Sequence, residues 1–483
     1  MDKVKAIRQI LKGDKLVPAA DLFEITSSAH HGHVQAVLTA MKQLGFENLI
    51  ASRPSRERDL IAAMVTARIL EPESKLATTR WWKNTTIPDV FKVSDADEVE
   101  LYAAIDWLLE RQGVIEKKLS ERHLKDGGMV LYDLSSSYFE GKCCPLAALG
   151  HNRDGKKGKL QVNYGLLTDS RGVPVAVSVF EGNSADPTTL LPQVETMLET
   201  FGISEMVLLG DRGMISQKHI EELKGQAGIN WITALKSDAI IKLVSGESLQ
   251  LGLFDERNLF EFTHPDYPGE RLIACKNPDL AKLRAHKRQS LLDATVKELN
   301  KIRSMVEKGR IKGKDKIGVR TGKVVNKYKM AKHIELDIQD NAFTWRIKEE
   351  KVNVEQALDG ICIIRTSLTH EQINSEDAVR SYKNLSQVEQ AFRSLKSIDL
   401  EVSPTYHRLE GRFKPHIFLC MLAYYVKWHM MQALRPLIFA DEDQEVKLTR
   451  DPVARQNALK LRWKRSGPRC WRMARKSTAF KHC

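Results

Sequence analysis

The sequence predicts an α/β protein. It is a mixed five-stranded sheet with flanking helices, preceded by a helical region and interrupted by a β-rich insertion. Three observations carry this. Roughly the first 125 residues repeat apolar side chains every three or four positions, the helical period. Five short apolar runs follow, the first three in direct succession and the rest separated by helical segments. A long charged stretch then intervenes before one more apolar strand and an amphipathic helix.

Composition narrows the partners. The chain has 483 residues, a net charge of +13 and a pI near 9.2, a balance that favours a polyanion, nucleic acid before membrane surface. Its length allows two or three cores. The seven cysteines (Cys143, Cys144, Cys275, Cys362, Cys420, Cys470, Cys483) are scattered and form no CxxC pair, so they read as reduced thiols. The N-terminus lacks an apolar leader core, and the apolar stretch Ile417–Trp428 is too short to span a bilayer. The expectation is a soluble, cytoplasmic chain with no membrane partner.

In residues 1–125, helical periodicity covers Lys3–Leu11, Val34–Leu44, Asp59–Leu70 and Glu98–Leu119, with a basic break at Arg53–Arg58. Trp81 and Trp82 follow a helix carrying Lys75 and Arg80. A DNA-binding or dimerisation unit with exposed aromatics and a plain packing module fit this region equally. His30, His31 and His33 have no Cys or carboxylate at ligand spacing and do not read as a metal site.

Residues 126–236 form the first part of the core. Met129–Ser135 is an apolar strand that delivers Asp133, and Leu160–Leu167 and Val173–Phe180 continue a meander. The basic turn Arg153–Lys159 reads either as a solvated hairpin tip or as a phosphate contact. A helix opens at Asp186-Pro187 and runs to about Phe201. Met206–Leu209 is a strand ending in Asp211, followed by a helix over Ser216–Lys224 and a strand over Trp231–Leu235. This order of elements is that of the RNase H-like fold.

Residues 237–358 are expected to form the insertion, with β-ribbons at Leu249–Phe254, Phe260–Phe262 and Leu272–Cys275. A long charged helix over Ala281–Met305 follows. Lys308–Lys332 is too basic to bury apolar area and is expected to be exposed. Residues 359–440 return to the core through a strand at Gly360–Arg365. A single helix then reaches Lys396, with Tyr382, Glu389 and Lys396 seven residues apart on one face and Leu385, Val388, Phe392 and Leu395 on its apolar stripe. Ile417–Leu434 is apolar on most faces and reads as core. Residues 441–483 form a basic, irregular tail.

Asp133, Asp211 and Glu389 are distant in sequence, so only the fold can join them. Three converging carboxylates repel unless they share divalent cations, and hard oxygen ligands suit Mg²⁺ or Mn²⁺. Two ions roughly 3.5–4 Å apart would activate a water or 3′-hydroxyl and steady the leaving oxygen. Asp133 would bridge them, and Asp211 and Glu389 would take one each. Lys396 would hold a phosphate, with Arg393, Arg212 or Tyr382 adding contacts.

The helix resembles the Tyr-x2-Arg-x3-Glu-x6-Lys signature of DDE transposases of bacterial insertion sequences, in the insertion-sequence-four group. Tyr382, Glu389 and Lys396 match it, whereas the Arg position is Leu385 and only Arg393 stands nearby as a substitute. Tyr132-Asp133-Leu134-Ser135-Ser136 and Gly210-Asp211-Arg212-Gly213 look like the group's two Asp motifs. Tyr406–Arg412 leading into Ile417–Cys420 is similar to one branch. The resemblance covers about residues 5–450.

It implies an enzyme that binds terminal inverted repeats, cuts the element ends and joins their 3′-hydroxyls to target DNA. The work would be done by an assembly of at least two protomers on the bacterial nucleoid. It also implies a truncated element lacking an N-terminal segment and read out of frame after Ala454. Two other readings stay open: a nuclease of the same fold without strand transfer, and an inactive remnant that only binds DNA.

Overall fold

The computed structural model describes residues 7–8, 10–13, 28–141, 143–151, 153–156, 158–245 and 258–438. The expected ribbon at Leu249–Phe254 and the tail at 441–483 lie outside them, as do parts of the expected helix at Lys3–Leu11 and Lys157 of the basic turn. One compact unit runs to Arg111 and a second begins at Gln112.

The first unit is helical: α1 (Gly32–Leu44), α2 (Phe46–Ile50), α3 (Arg56–Leu70), α4 (Lys75–Trp81), α5 (Ile87–Phe91) and α6 (Glu98–Glu110). α3 is its centre, with every residue from Leu60 to Ala67 buried. The Ser55 hydroxyl starts this helix by accepting the Arg58 N–H, and the Asp97 carboxylate does the same for Glu100 in α6. Trp82, which the sequence left open between an exposed aromatic and a packing residue, is fully buried. A bulky indole directly after a helix stabilises the unit more by filling its core than by facing water.

The single helix expected over Glu98–Leu119 is two. Its second half, α7 (Gln112–His123), belongs to the other unit and packs on that unit's sheet.

That sheet has eight strands, not five: β1 (Gly128–Tyr138), β2 (Gln161–Asp169), β3 (Pro174–Glu181), β4 (Met206–Leu209), β5 (Ile229–Ala234), β6 (Leu259–Phe262), β7 (Arg271–Lys276) and β10 (Ile361–Thr366). Its order is β3-β2-β1-β4-β5-β10-β7-β6. β1–β3 form the antiparallel meander, and β4 and β5 join in parallel through α8 (Leu190–Glu195) and α9 (Gln217–Lys224). The remaining three strands extend the far edge antiparallel. An open edge at β5 would leave ladder groups unpaired, and the returning strand and the ribbons fill it.

The inserted segment is mostly helical, not β-rich. After α10 (Ser237–Ser245) and the two ribbon strands come α11 (Pro278–Glu307) and α12 (Lys314–Tyr328). A hairpin of β8 (Ile334–Ile338) and β9 (Phe343–Ile347) and then α13 (Glu349–Ala357) complete it. Lys308–Lys332 is not simply exposed. Ile317 and Val325 of α12 join Leu292, Leu299, Ile302 and Phe343 in a separate core. The stripe is narrow, one apolar or Thr side chain every four residues among lysines, and averaging the composition hides it.

Downstream lie α14 (Ser375–Lys383), α15 (Leu385–Arg393) and α16 (Glu410–Ile438). α16 buries every residue from Ile417 to Val426, as its apolar faces predict. Among the described residues no helix is long and apolar enough to cross a membrane.

Candidate active site

Two strands and a helix bring three carboxylates towards one another. β1 and β4 run parallel with Leu131 opposite Leu209, and continuing that register by two residues sets Asp211 alongside Asp133. The Asp133 carboxylate is half-buried and accepts the Leu134 N–H at 2.8 Å. Asp211 lies in the exposed turn after β4, where one of its oxygens accepts the N–H groups of Gly213 (2.8 Å) and Met214 (2.7 Å).

α15 packs on β1 through Val388, Ala391 and Phe392, with the Phe392 ring edge-on to Tyr164 of β2. This leaves Glu389 on the outer side of the helix. The β2–β3 turn fixes the height of α15. Gly172 has φ +84°, and a Cβ there would stand 2.8 Å from the Gln387 Cβ. Inside the sheet, Gly165 makes room for Tyr132, whose hydroxyl a Cβ at position 165 would meet at 2.2 Å.

The electrostatics record the convergence. Burial, then the fields of Asp211 and Glu389, raise the Asp133 carboxyl to about 7, against the Leu134 N–H and the nearby Arg153 guanidinium. Asp133 therefore has two acidic neighbours, offset in part by Arg153.

Tyr382 and Arg212 line a cleft of about 870 Å³ whose opposite wall is built by the inserted helices and carries Arg284, Lys287 and Lys351. Burial raises the Tyr382 hydroxyl, and the charge of Asp211 adds to the shift. Arg393 lies 3.8 Å from Glu389, both side chains largely exposed. Lys396 pairs with Asp154 at 2.8 Å; burial lowers the pKa of its ammonium, and the charges of Asp154 and Asp133 oppose that shift.

The run from Gln372 to Lys396 is not one helix. It turns at Asn384 and finishes in a π-helical turn over Ser394–Ile398, which advances the chain differently from an ideal helix. Tyr382, Glu389 and Lys396 therefore sit on three successive segments and not on one straight helix.

Sequence reasoning missed two features. The basic turn after Arg153 docks on the end of β1. The Arg153 N–H donates to the Ser136 hydroxyl, its guanidinium pairs with Asp186, and Asp154 accepts the Tyr138 N–H. Cations of α11 and α13 line the same cleft as Arg212 and Tyr382, and no local pattern in the sequence marks which way they point.

Three carboxylates are chemically suited to a hard divalent cation. Among the described residues, however, no three His, Cys, Asp or Glu side chains close around one point. Glu389, held towards Arg393, is the member that would have to turn inwards.

Residues 140–426, more than half of the chain, match the family described as the transposase DDE domain. The chain belongs to this transposase family. The matched region includes Asp211 and Glu389 and begins just after Asp133. No curated protein matches the chain. Among solved structures, it is similar to a piggyBac transposase in a synaptic complex with hairpin DNA. The identity is 9%, over 92% of this chain and 81% of that one, with a TM-score of 0.38. A likeness that low carries no argument about this transposase domain.

Proposed function

We propose that this transposase cuts DNA at the terminal inverted repeats of an insertion sequence of the insertion-sequence-four group and joins the ends to target DNA. The observation that carries the reading is the pairing of β1 with β4, which sets Asp133 alongside Asp211 under the helix that bears Glu389, within a transposase DDE domain and beside a cleft lined with cations.

Asp133, Asp211 and Glu389 would hold two Mg²⁺ or Mn²⁺ ions. When bound, such ions supply a nucleophilic oxygen at neutral pH and Lewis-acid stabilisation of the leaving oxygen. Arg212 and Tyr382 orient the phosphodiester from the cleft side. Arg393 holds Glu389 until the site fills and is then free for a phosphate. Lys396 exchanges Asp154 for a phosphate. The helical unit before Gln112 serves DNA binding or dimerisation, and at least two protomers act together in the bacterial cytoplasm, on the nucleoid.

The test is metal-dependent cleavage of a labelled duplex bearing the element's ends, with wild type beside Asp211→Ala. Cleavage at the element boundary, followed by joining to a target and lost in the variant, is expected. Cleavage without joining identifies a nuclease. Binding without cleavage in either protein identifies a remnant.

A further inference from the structure

β7 and β10 run antiparallel, and Cys275 is the direct partner of Cys362 across them. Directly opposed residues project from the same face of a sheet, with Cα atoms about 4.5–5.5 Å apart, inside the range a disulfide spans. The Cys275 Sγ already leans across, donating to the Cys362 carbonyl oxygen at 3.3 Å. Cys275 is buried, whereas Cys362 is half-buried and opens onto the cleft that Arg212 and Arg284 also line. One member is thus reachable by a small solute and the other waits behind it.

We propose that Cys275 and Cys362 are a peroxide-sensitive dithiol, a reversible modification site in the wall of the basic cleft. Cys362 is the attacking sulfur. When the Cys275 S–H turns from the Cys362 carbonyl to the Cys362 sulfur, its hydrogen bond lowers the pKa of Cys362 against the effect of burial, and the charges of Arg212, Arg284 and Lys383 add to the lowering. The same bond and burial raise Cys275, which stays protonated as the resolving thiol.

The Cys362 thiolate attacks one oxygen of hydrogen peroxide. The O–O bond breaks, Cys362 becomes a sulfenic acid, and the released hydroxide takes up the proton the thiol had lost. The Cys275 sulfur then attacks the Cys362 sulfur, the S–S bond forms, the S–O bond breaks, and the hydroxyl departs as water with the Cys275 proton. Two thiols lose two electrons, and the peroxide is reduced to two waters.

The crosslink closes the base of the inserted segment, since β7 leads into α11 and β10 leads out of α13. Oxidation therefore ties the two feet of the insertion together. This inference does not rest on DNA cleavage, and its test is chemical.

The full chain is treated with hydrogen peroxide, alkylated, digested and read by peptide mass spectrometry. Expected is a linked Cys275–Cys362 peptide pair lighter by two hydrogens, lost on adding dithiothreitol, together with a rise in Tm that dithiothreitol reverses. In Cys275→Ser, Cys362 stops at a sulfenic acid that dimedone captures. The proposal is overturned if both thiols still alkylate fully after peroxide, or if Cys362 reaches sulfinic acid while Cys275 stays free. Pairing of Cys362 with another cysteine also overturns it. Should Cys275→Ser fail to fold, the wild-type peptide pair decides alone.

Discussion

Glu116 sits enclosed between α7 and β3, where its Oε1 accepts the Val177 N–H at 3.0 Å and the Gln112 amide at 2.8 Å. Burial raises its carboxyl from 4.5 to about 7. The folded protein therefore keeps a proton there that the unfolded chain has already lost. Stability contributed by this group falls as pH rises from about 4.5 to about 7, and the loss is complete above that. Glu116→Gln keeps the acceptor and never ionises, so its Tm relative to wild type should climb over that interval. A flat difference would disprove the assignment.

Gly172 tests the placement of Glu389. Gly172→Ala forces a Cβ into the Gln387 Cβ at a positive φ, so α15 must move. End cleavage should fall at least about 10-fold while duplex binding holds, because positioning errors near 1 Å are costly to catalysis. Asp133→Asn should cost at least about 100-fold in cleavage, the scale on which loss of one preorganised charge is felt. Under the proposed metal role, Mg²⁺ should raise the Tm of wild type and leave that of the variant unchanged, a readout independent of turnover.

At the scale of elements, the inserted segment is the informative case. Its helices α11 and α12 and the β8–β9 hairpin share a core of their own, in which Leu299 is fully buried. Leu299→Ala should cost about 2–5 kcal/mol there. Hydrogen exchange should locate the loss in α11, α12 and the hairpin, with the central strands β1, β4 and β5 keeping their protection. If the sheet lost protection equally, the insertion would not be a separate cooperative unit. The buried Arg288–Asp359 pair at 2.5 Å ties α11 to the approach of β10, and this is where the segment joins the sheet.

For the whole molecule, part of the positive charge gathers at one cleft, where seven Lys and Arg side chains stand against four carboxylates. Arg284, Lys287 and Lys351 reach the cleft from residues distant in sequence, facing Arg212 beside the acidic cluster. If a DNA backbone runs through the cleft, replacing these three with Ala should weaken binding uniformly across sequences and flatten the salt dependence by about three contacts. An unchanged slope would place the backbone elsewhere.

Much of this was legible in the chain itself. The strands delivering Asp133 and Asp211, the core helix around Ile417–Val426 and the order of the meander follow from apolar period and run length, which are local properties. Some overturned expectations were local, such as the missed stripe of Ile317, Thr321 and Val325, and others were long-range. The ribbons at Phe260 and Leu272 became sheet strands because an edge was open to them. Trp82 went inwards because its unit had a core to fill. The helix before Lys396 turned at Asn384 and loosened into a π turn because it packs on β1. A periodicity states which residues share a face, but only packing decides what that face meets. Thus the sequence by itself determined the acidic residues and the class of fold that holds them. The tertiary structure alone decided that Asp211 and Glu389 load charge onto Asp133, that Lys396 answers to Asp154, and that cations of the insertion share a cleft with Arg212, because each depends on groups the chain brings together from far apart.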